Sequence, residues 1–582
     1  MDNETPYGVS DEWSTTPWRK LERYLYRLQK RIYKAKQRQD IRAVRGLKRV
    51  LKRSKAAKTL AVRQVTQDNR GKRTAGIDGI KNLNPAKRLA MATTLSLLGK
   101  ASPVRRVGIP KPGKDEKRPL GIPTMIDRAK QALAKMALEP EWEAVFEPNS
   151  YGFRPGRGCH DAIEQIHTAL RGAKKYILEA DIKGCFDNIA HKALLDKVND
   201  PELRPLLKGW LKAGLMDHGV FHETTQGTPQ GGVISPLLAN MALHGLEEDP
   251  KEALKTVLTR AERPQHHGWS RVRQTLQIIR YADDFVIIHK DQSVIQEAHK
   301  YIAEWLGKMG LQLKPEKTRI VHSLLKHEGK DPGFNFLGFH CRQYRRTEDS
   351  KPKTLIKPEK NKLHRHLMSI KEDVRKLGKD SQNAIHRINA QITGWSNYYR
   401  ICAASKTFHT ADNAVYWQIS EWVKRSSRQR GIKRKMRKYF KRVKNHNWVF
   451  TTQEGIQLIR HDATKIVRHI KVQGSRSPFD GDWAYWGTRL GRNPLLPPRK
   501  ARLLKKQKGT CGYCKHHFKH EDIIEVHHVD GNHKNNKDDN LMLIHGHCHD
   551  QITAEMQRTH DKGTVTEEPC ARNPARTVLQ QR

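Results

Sequence analysis

Residues 275–289 read TLQIIRYADDFVIIH. Two apolar runs rich in Ile, Val and Phe flank Ala282-Asp283-Asp284, the pattern of a β-hairpin with carboxylates at its turn. Upstream, residues 176–182 (YILEADI) form another strand-like run that ends in Asp181, and Gly184 then breaks it. An aspartate at a strand end and a pair at a hairpin tip are placed to converge. Crowded carboxylates repel unless cations lie between them, and hard oxygen donors select Mg²⁺. Two such ions about 4 Å apart activate a 3′-hydroxyl and stabilise a leaving pyrophosphate. A solvated Asp-Asp turn is the plain alternative, and the neighbouring motifs argue against it.

Working outward, the chain has 582 residues, enough for roughly three to five domains. It carries 110 Lys and Arg against 61 Asp and Glu, a net charge of +49. Such a charge resists compaction unless polyanions neutralise it, and nucleic acid is the commonest large polyanion. Affinity for such a polyanion is expected to fall steeply as salt rises. No apolar run approaches a membrane span, and the acidic N-terminus (Asp2, Glu4, Asp11, Glu12) fits no signal or transit peptide. Cys159, Cys185, Cys341 and Cys402 are scattered, as free thiols in a reducing compartment are.

The YADD tetrapeptide has ordered neighbours. They are 105–123 (RRVGIPKPGKDEKRPLGIP), 149–158 (NSYGFRPGRG), 180–188 (ADIKGCFDN), 224–240 (TTQGTPQGGVISPLLAN), 311–318 (LQLKPEKT) and 334–339 (FNFLGF), with 76–80 (GIDGI) further back. With them, nearly the whole chain resembles the reverse transcriptases encoded by group II introns. The resemblance implies a multidomain α+β protein: a right-hand polymerase with fingers and an antiparallel palm sheet, an α-helical thumb, and a small ββα-metal domain. It implies that Asp181, Asp283 and Asp284 hold two catalytic Mg²⁺. Lys111 and Arg118 would neutralise the incoming deoxynucleoside triphosphate, a bidentate task in the arginine's case. Phe186 would leave no room for a 2′-hydroxyl. Gln230, Gly231 and Gly232 would shape the nucleotide pocket, and Lys317 would contact primer or nucleotide if it is not simply a surface lysine.

Residues 19–60 read as basic helix, with Leu21, Leu25, Leu28 and Ile32 on one face. Residues 355–447 return to helix, and 390–400 (AQITGWSNYYR) resemble the family's thumb, also called the maturase or X domain. There Ile385, Ile388, Ile392, Trp395 and Tyr399 make an apolar stripe that reads as core packing. From Lys424 to Lys444 twelve cations occur without one acid, among them Lys424, Arg425, Arg428, Arg430, Lys433, Arg434 and Lys435. They read as a helix face whose repulsion phosphates would relieve, and the family assigns this region to the parent intron RNA. Residues 448–500 resemble the family's DNA-binding linker, in which Trp483, Tyr485 and Trp486 either stack on bases or pack.

Cys511-x2-Cys514 and His545-x2-Cys548 have the spacing of a structural Zn²⁺ site. Between them lie a strand-like run at 523–526, His527-His528, a polar loop at 530–536, Asn540 and an apolar run at 541–544. This order resembles the HNH endonucleases. On that likeness His528 is the general base, Asn540 holds the loop and orients it, and His527 and His549 ligate one divalent ion, Mg²⁺ or Mn²⁺. His527 replaces a common Asp, and His545 replaces a common knuckle Cys.

These readings divide the chain into a basic helical segment (1–59), fingers and palm (60–345), thumb (346–447), linker (448–500), endonuclease (501–560) and a disordered polar tail (561–582) that contains Cys570. The resemblance implies an RNA-directed DNA polymerase that assists splicing of its intron RNA, nicks double-stranded target DNA and primes synthesis from the nick. It implies a bacterial cytoplasmic, nucleoid-associated ribonucleoprotein with no membrane partner. A splicing-only maturase would show decay at the aspartates or at His528, and none is decayed. Other bacterial reverse transcriptases, of defence or diversity-generating type, fit the thumb and the HNH-like module less well.

Overall fold

A computed structural model describes residues 12–110, 117–262, 268–377, 381–426, 431–443, 446–452, 454–519 and 522–560. Lys111, Arg428, Arg430, Lys444, Cys570 and the tail lie outside the described residues.

Three helices of the N-terminal basic segment lie among the described residues, α1 (Trp18–Gln37), α2 (Ile41–Arg53) and α3 (Lys55–Arg63). Asp40 and Ser54 side chains accept from Ala43 N and Ala57 N and so separate them. Ile32, Leu51 and Leu60 join one core with Met125 and Leu133. Part of the positive charge is internal: Lys48 is 1% exposed, and its Nζ lies 2.7 Å from Glu141 and 2.9 Å from Asp200.

The fingers carry the hairpin β1 (Val104–Pro110) and β2 (Lys117–Ile122), extended by β4 (Leu215–Asp217) and β5 (Val220–His222). The palm sheet is antiparallel, with β3 (Tyr176–Asp181), β6 (Gln277–Tyr281), β7 (Asp284–His289) and β8 (Arg319–His322) in the order β6-β7-β3-β8. Leu178, Ile278, Phe285 and Ile287 face one core, whereas Ile177, Ile279, Val286 and Ile288 face another. Burial on both faces explains why these strands are continuously apolar.

Beyond the palm, β9 (Phe334–Phe336), β10 (Phe339–Tyr344) and β11 (Lys353–Pro358) lead into three long helices, α4 (Lys360–Arg375), α5 (Ser381–Tyr399) and α6 (Ser405–Ser426). Ile385, Ile388, Ile392 and Tyr399 are buried as the stripe required, and Trp395 stacks on His366 with ring centroids 4.8 Å apart. The cationic run from Lys424 is not one helix. It spans the end of α6, a short α7 (Ile432–Tyr439) after Gly431 at φ 95°, and β12 (Phe440–Val443), paired with β13 (His446–Phe450). Lys424, Arg425, Lys433 and Arg434 are exposed and Lys435 is half-buried.

The linker aromatics pack. Trp483 stacks on His517 at 5.6 Å and lies 4.5 Å from Tyr26, while Trp486 is buried and its Nε1 donates to Asp480 at 3.2 Å. Three of the boundaries drawn from the sequence fall inside elements, 59 in α3, 447 in β13 and 500 in the helix Pro498–Lys506, and a fourth, 345, falls in the loop joining the paired β10 and β11. Composition marks chemistry, whereas these elements end where their hydrogen bonds end.

Candidate active sites

The palm hairpin does bring the three aspartates together. Asp181, the last residue of β3, sits opposite Asp284, the first of β7, and Asp283 occupies the turn. The turn needs Ala282 at φ 57°, a left-handed conformation that costs a non-glycine residue about 1 kcal/mol. Its supports are specific. Arg280, 3% exposed, donates from Nη1 to Asn240 Oδ1 (3.0 Å) and to the Ala282 carbonyl (3.1 Å), and from Nη2 to Ser150 Oγ (2.7 Å). Gly152 packs so closely that a Cβ there would lie 2.4 Å from Ala282 N. Arg280, Asn240 and Ser150 had no role in the sequence reading. A lone arginine inside an apolar strand was their one visible sign.

Burial, then the charges of Asp283 and Asp181, pushes the Asp284 carboxyl up to about 7. Burial, then Asp181, also raises Asp283. This is a site that gains by holding cations. Lys317 supplies one positive charge, its Nζ 2.5 Å from Asp181 Oδ2. Arg118 is exposed on β2. Phe186 is half-buried just after Gly184, which has φ 52°, and its ring lies 6.0 Å from Phe153. Gln230 donates from Nε2 to both Asp187 oxygens (3.1 and 3.0 Å), and its carbonyl accepts from Gly121 N of β2 at 2.6 Å. The loop that carries Gln230 is thereby tied to the fingers.

In the C-terminal part, β14 (Ile524–His528) pairs with β15 (Leu541–His545), and α8 (Gly546–His560) follows. Cys511, Cys514, His545 and Cys548 are all buried, and their ligand atoms lie within 4.8 Å of one another. The cysteines are not disulfide-bonded. A buried set of three thiols and an imidazole fits a tetrahedral soft-metal site. Asp522 lies 3.2 Å from His545 Nε2 and fixes the ring so that Nδ1 faces the thiols.

His527 and His549 approach with ring centroids 5.5 Å apart, and Glu525 Oε2 lies 2.6 Å from His549 Nδ1. Burial, then the neighbouring imidazoles of His549, His528 and His533, holds His527 below the usual imidazole range. His528 Nε2 is buried with no hydrogen-bond partner, and its ring lies 5.1 Å from His533. Asn540 Nδ2 donates to Asp530 Oδ1 (2.7 Å) and to the Asn535 carbonyl (2.9 Å). It therefore pins the loop, and its contact with the His528 strand runs through Val529 N, which donates to the Asn540 carbonyl at 2.8 Å. Glu525 was legible as two residues before His527 on the same strand face. His533 lies in the polar loop and had no spacing signal.

Residues 109–341 match the reverse transcriptase (RNA-dependent DNA polymerase) family, and residues 13–95 match the N-terminal domain of reverse transcriptase. Residues 363–440 match the maturase-specific domain of group II introns, and residues 511–555 match the HNH endonucleases. The chain belongs to the family of group II intron-encoded reverse transcriptases. The group II intron-encoded protein LtrA of Lactococcus lactis subsp. cremoris is 32% identical over 378 residues, which cover 52% of this chain and 61% of LtrA. Protein YkfC of Escherichia coli K12 is 34% identical over 307 residues, covering 47% of this chain and 77% of YkfC. A telomerase structure from Candida albicans is similar at a TM-score of 0.32 and 12% identity, over 58% of this chain and 63% of that one. Among the described residues no helix is long and apolar enough to cross a membrane.

Proposed function

We propose that the chain is an RNA-directed DNA polymerase and DNA endonuclease. It binds its group II intron RNA, assists splicing, nicks target DNA and primes reverse transcription from the nick, the cycle of retrohoming. The observation that carries this reading is the pairing of Asp181 with Asp284 beside Asp283. Asp181, Asp283 and Asp284 would hold two Mg²⁺, which supply activation of the primer 3′-hydroxyl and charge neutralisation at the pyrophosphate. Arg118, with Lys111, draws in the triphosphate. Phe186 excludes the 2′-hydroxyl, Gln230 shapes the pocket, and Lys317 balances the charge of Asp181.

In the endonuclease His528 takes the proton from the attacking water. Its free, buried Nε2 supports that role. His527 and His549 would ligate a Mg²⁺ or Mn²⁺ ion that supplies polarisation of the scissile phosphate, and Glu525 orients His549. Cys511, Cys514, His545 and Cys548 would hold a structural Zn²⁺ that staples a domain of small core. The cations Lys424, Arg425, Arg428, Arg430, Lys433, Arg434 and Lys435 engage RNA. The setting is a ribonucleoprotein in the bacterial cytoplasm, on the nucleoid.

The test uses the chain with its intron RNA and the DNA that flanks the intron. Wild type yields a nicked strand ending in a 3′-hydroxyl that is extended with labelled deoxynucleotides. His528→Ala loses the nick yet extends DNA that is already nicked. A 3′-phosphate product overturns the reading, because that end cannot prime.

A further inference from the structure

The thumb exposes two tryptophans that packing would ordinarily bury. Trp417 on α6 keeps 61% of its surface in solvent, and Trp448 on β13 keeps 55%. By contrast Trp18, Trp210, Trp305 and Trp486 are all 7% exposed or less. The two exposed indoles share one pedestal of rings. Tyr416 lies 5.4 Å from Trp417 and 5.3 Å from Phe440, and Phe440 lies 6.2 Å from Trp448. Phe440 is buried, so the pedestal is anchored in the thumb core beside Val415 and Met436.

The surroundings are cationic. Lys433, Arg434, Arg437, Lys438, Lys441 and Arg442 are exposed on α7 and β12, and residues 431–443 contain no acid. An apolar protein partner gains little from such a rim, because each cation would have to be desolvated. A polyanion that also offers flat apolar faces gains from both features: phosphates meet the rim and rings meet the indoles. Bases in a duplex have their faces covered by stacking, so the matching ligand is unpaired. Trp417 and the cations of α7 fall within residues 363–440, matched to the maturase-specific domain, which favours RNA over DNA.

We propose that Trp417 and Trp448 form a stacking platform for unpaired bases of the intron RNA, with the α7–β12 cations holding the flanking phosphates. This deepens the RNA-binding reading of the thumb and rests on it. The test measures binding of the full chain to an unstructured RNA, to a perfect RNA duplex of equal length, and to single-stranded DNA of the same sequence, across salt. Trp417→Ala and Trp448→Ala are each expected to weaken the unpaired RNA about tenfold, with an unchanged salt slope. Both should leave the duplex within about twofold, since it offers no free base face. Trp417→Phe and Trp448→Phe recover most of the loss, and matching thermal melts show that the fold is kept. Lys433→Ala instead lowers the salt slope by about 0.7.

Alanine variants that bind unpaired RNA like wild type, while Lys433→Ala still moves the slope, overturn the platform and leave the RNA reading standing. Equal losses on DNA overturn the assignment to RNA. Flat salt dependence on every nucleic acid sinks the RNA reading itself.

Discussion

The palm and the endonuclease both place their candidate site residues at the end of an antiparallel strand pair, Asp181 opposite Asp284 in one and His528 opposite Leu541 in the other. The palm sheet has four strands with apolar cores on both faces, and that burial holds mutually repelling carboxylates in place. The endonuclease sheet has two strands, and a single cluster around Leu503, Leu543 and Ile552 covers it. Two strands alone are marginal in water, so a metal held by the buried Cys/His cluster would do there what the second core does in the palm. On the proposed reading the palm is a fold that would carry a metal site, whereas the endonuclease is a metal site that would carry a fold.

The largest expected effect separates the two. Removing metal from Cys511, Cys514, His545 and Cys548 with a chelator, or by Cys514→Ser, unfolds residues 501–560, because structural Zn²⁺ contributes on the order of 10 kcal/mol. Limited proteolysis should then cut that region and nicking should vanish, with primer extension held within about twofold. Unchanged protease resistance would break the comparison.

The thumb is a third case, held by a buried polar network. His366 Nε2 lies 2.9 Å from His461 Nε2, and His461 Nδ1 lies 2.7 Å from Asp412 Oδ1. Burial, then His461, pushes His366 down to about 3. The folded state keeps this ring neutral, so the unfolded chain takes the proton first as pH falls below about 6.5. Thumb stability is therefore full above that pH and is lost toward pH 3, by about 3 kcal/mol at pH 4. Amide exchange in α4 and α6 should report this loss, and His366→Phe should flatten it.

Smaller effects follow at the proposed metal sites themselves. Asp522→Asn leaves His545 a weaker partner and should lower zinc retention about 10- to 100-fold in chelator competition. In the palm, Asp284→Asn removes one of three crowded charges. It should raise the melting temperature in EDTA at pH 8 by a few degrees, about 1 kcal/mol. A fall instead would mean that the aspartates stabilise the metal-free fold.

Much of this was legible because sequence-local signals carried it. The β6–β7 hairpin showed in its apolar runs around Asp283-Asp284, and the buried Cys/His cluster showed in its Cys-x2-Cys spacing. What sequence missed depends on distant partners. Arg280 holds the turn through Ser150 and Asn240, which lie 130 and 40 residues away. Trp483 spends its face on His517 and Tyr26, so its stacking chemistry is used internally. The cationic run looked continuous because charge has no period, yet Gly431 breaks the helix within it.

The most direct measurement is primer extension on poly(rA) with an oligo(dT) primer and Mg²⁺, comparing wild type with Asp283→Ala at matched template–primer affinity. Wild type should extend the primer, and Asp283→Ala should fall by about a thousandfold or more with its fold and binding intact. Extension by Asp283→Ala at the wild-type rate would contradict the assignment of the three aspartates as the polymerase centre.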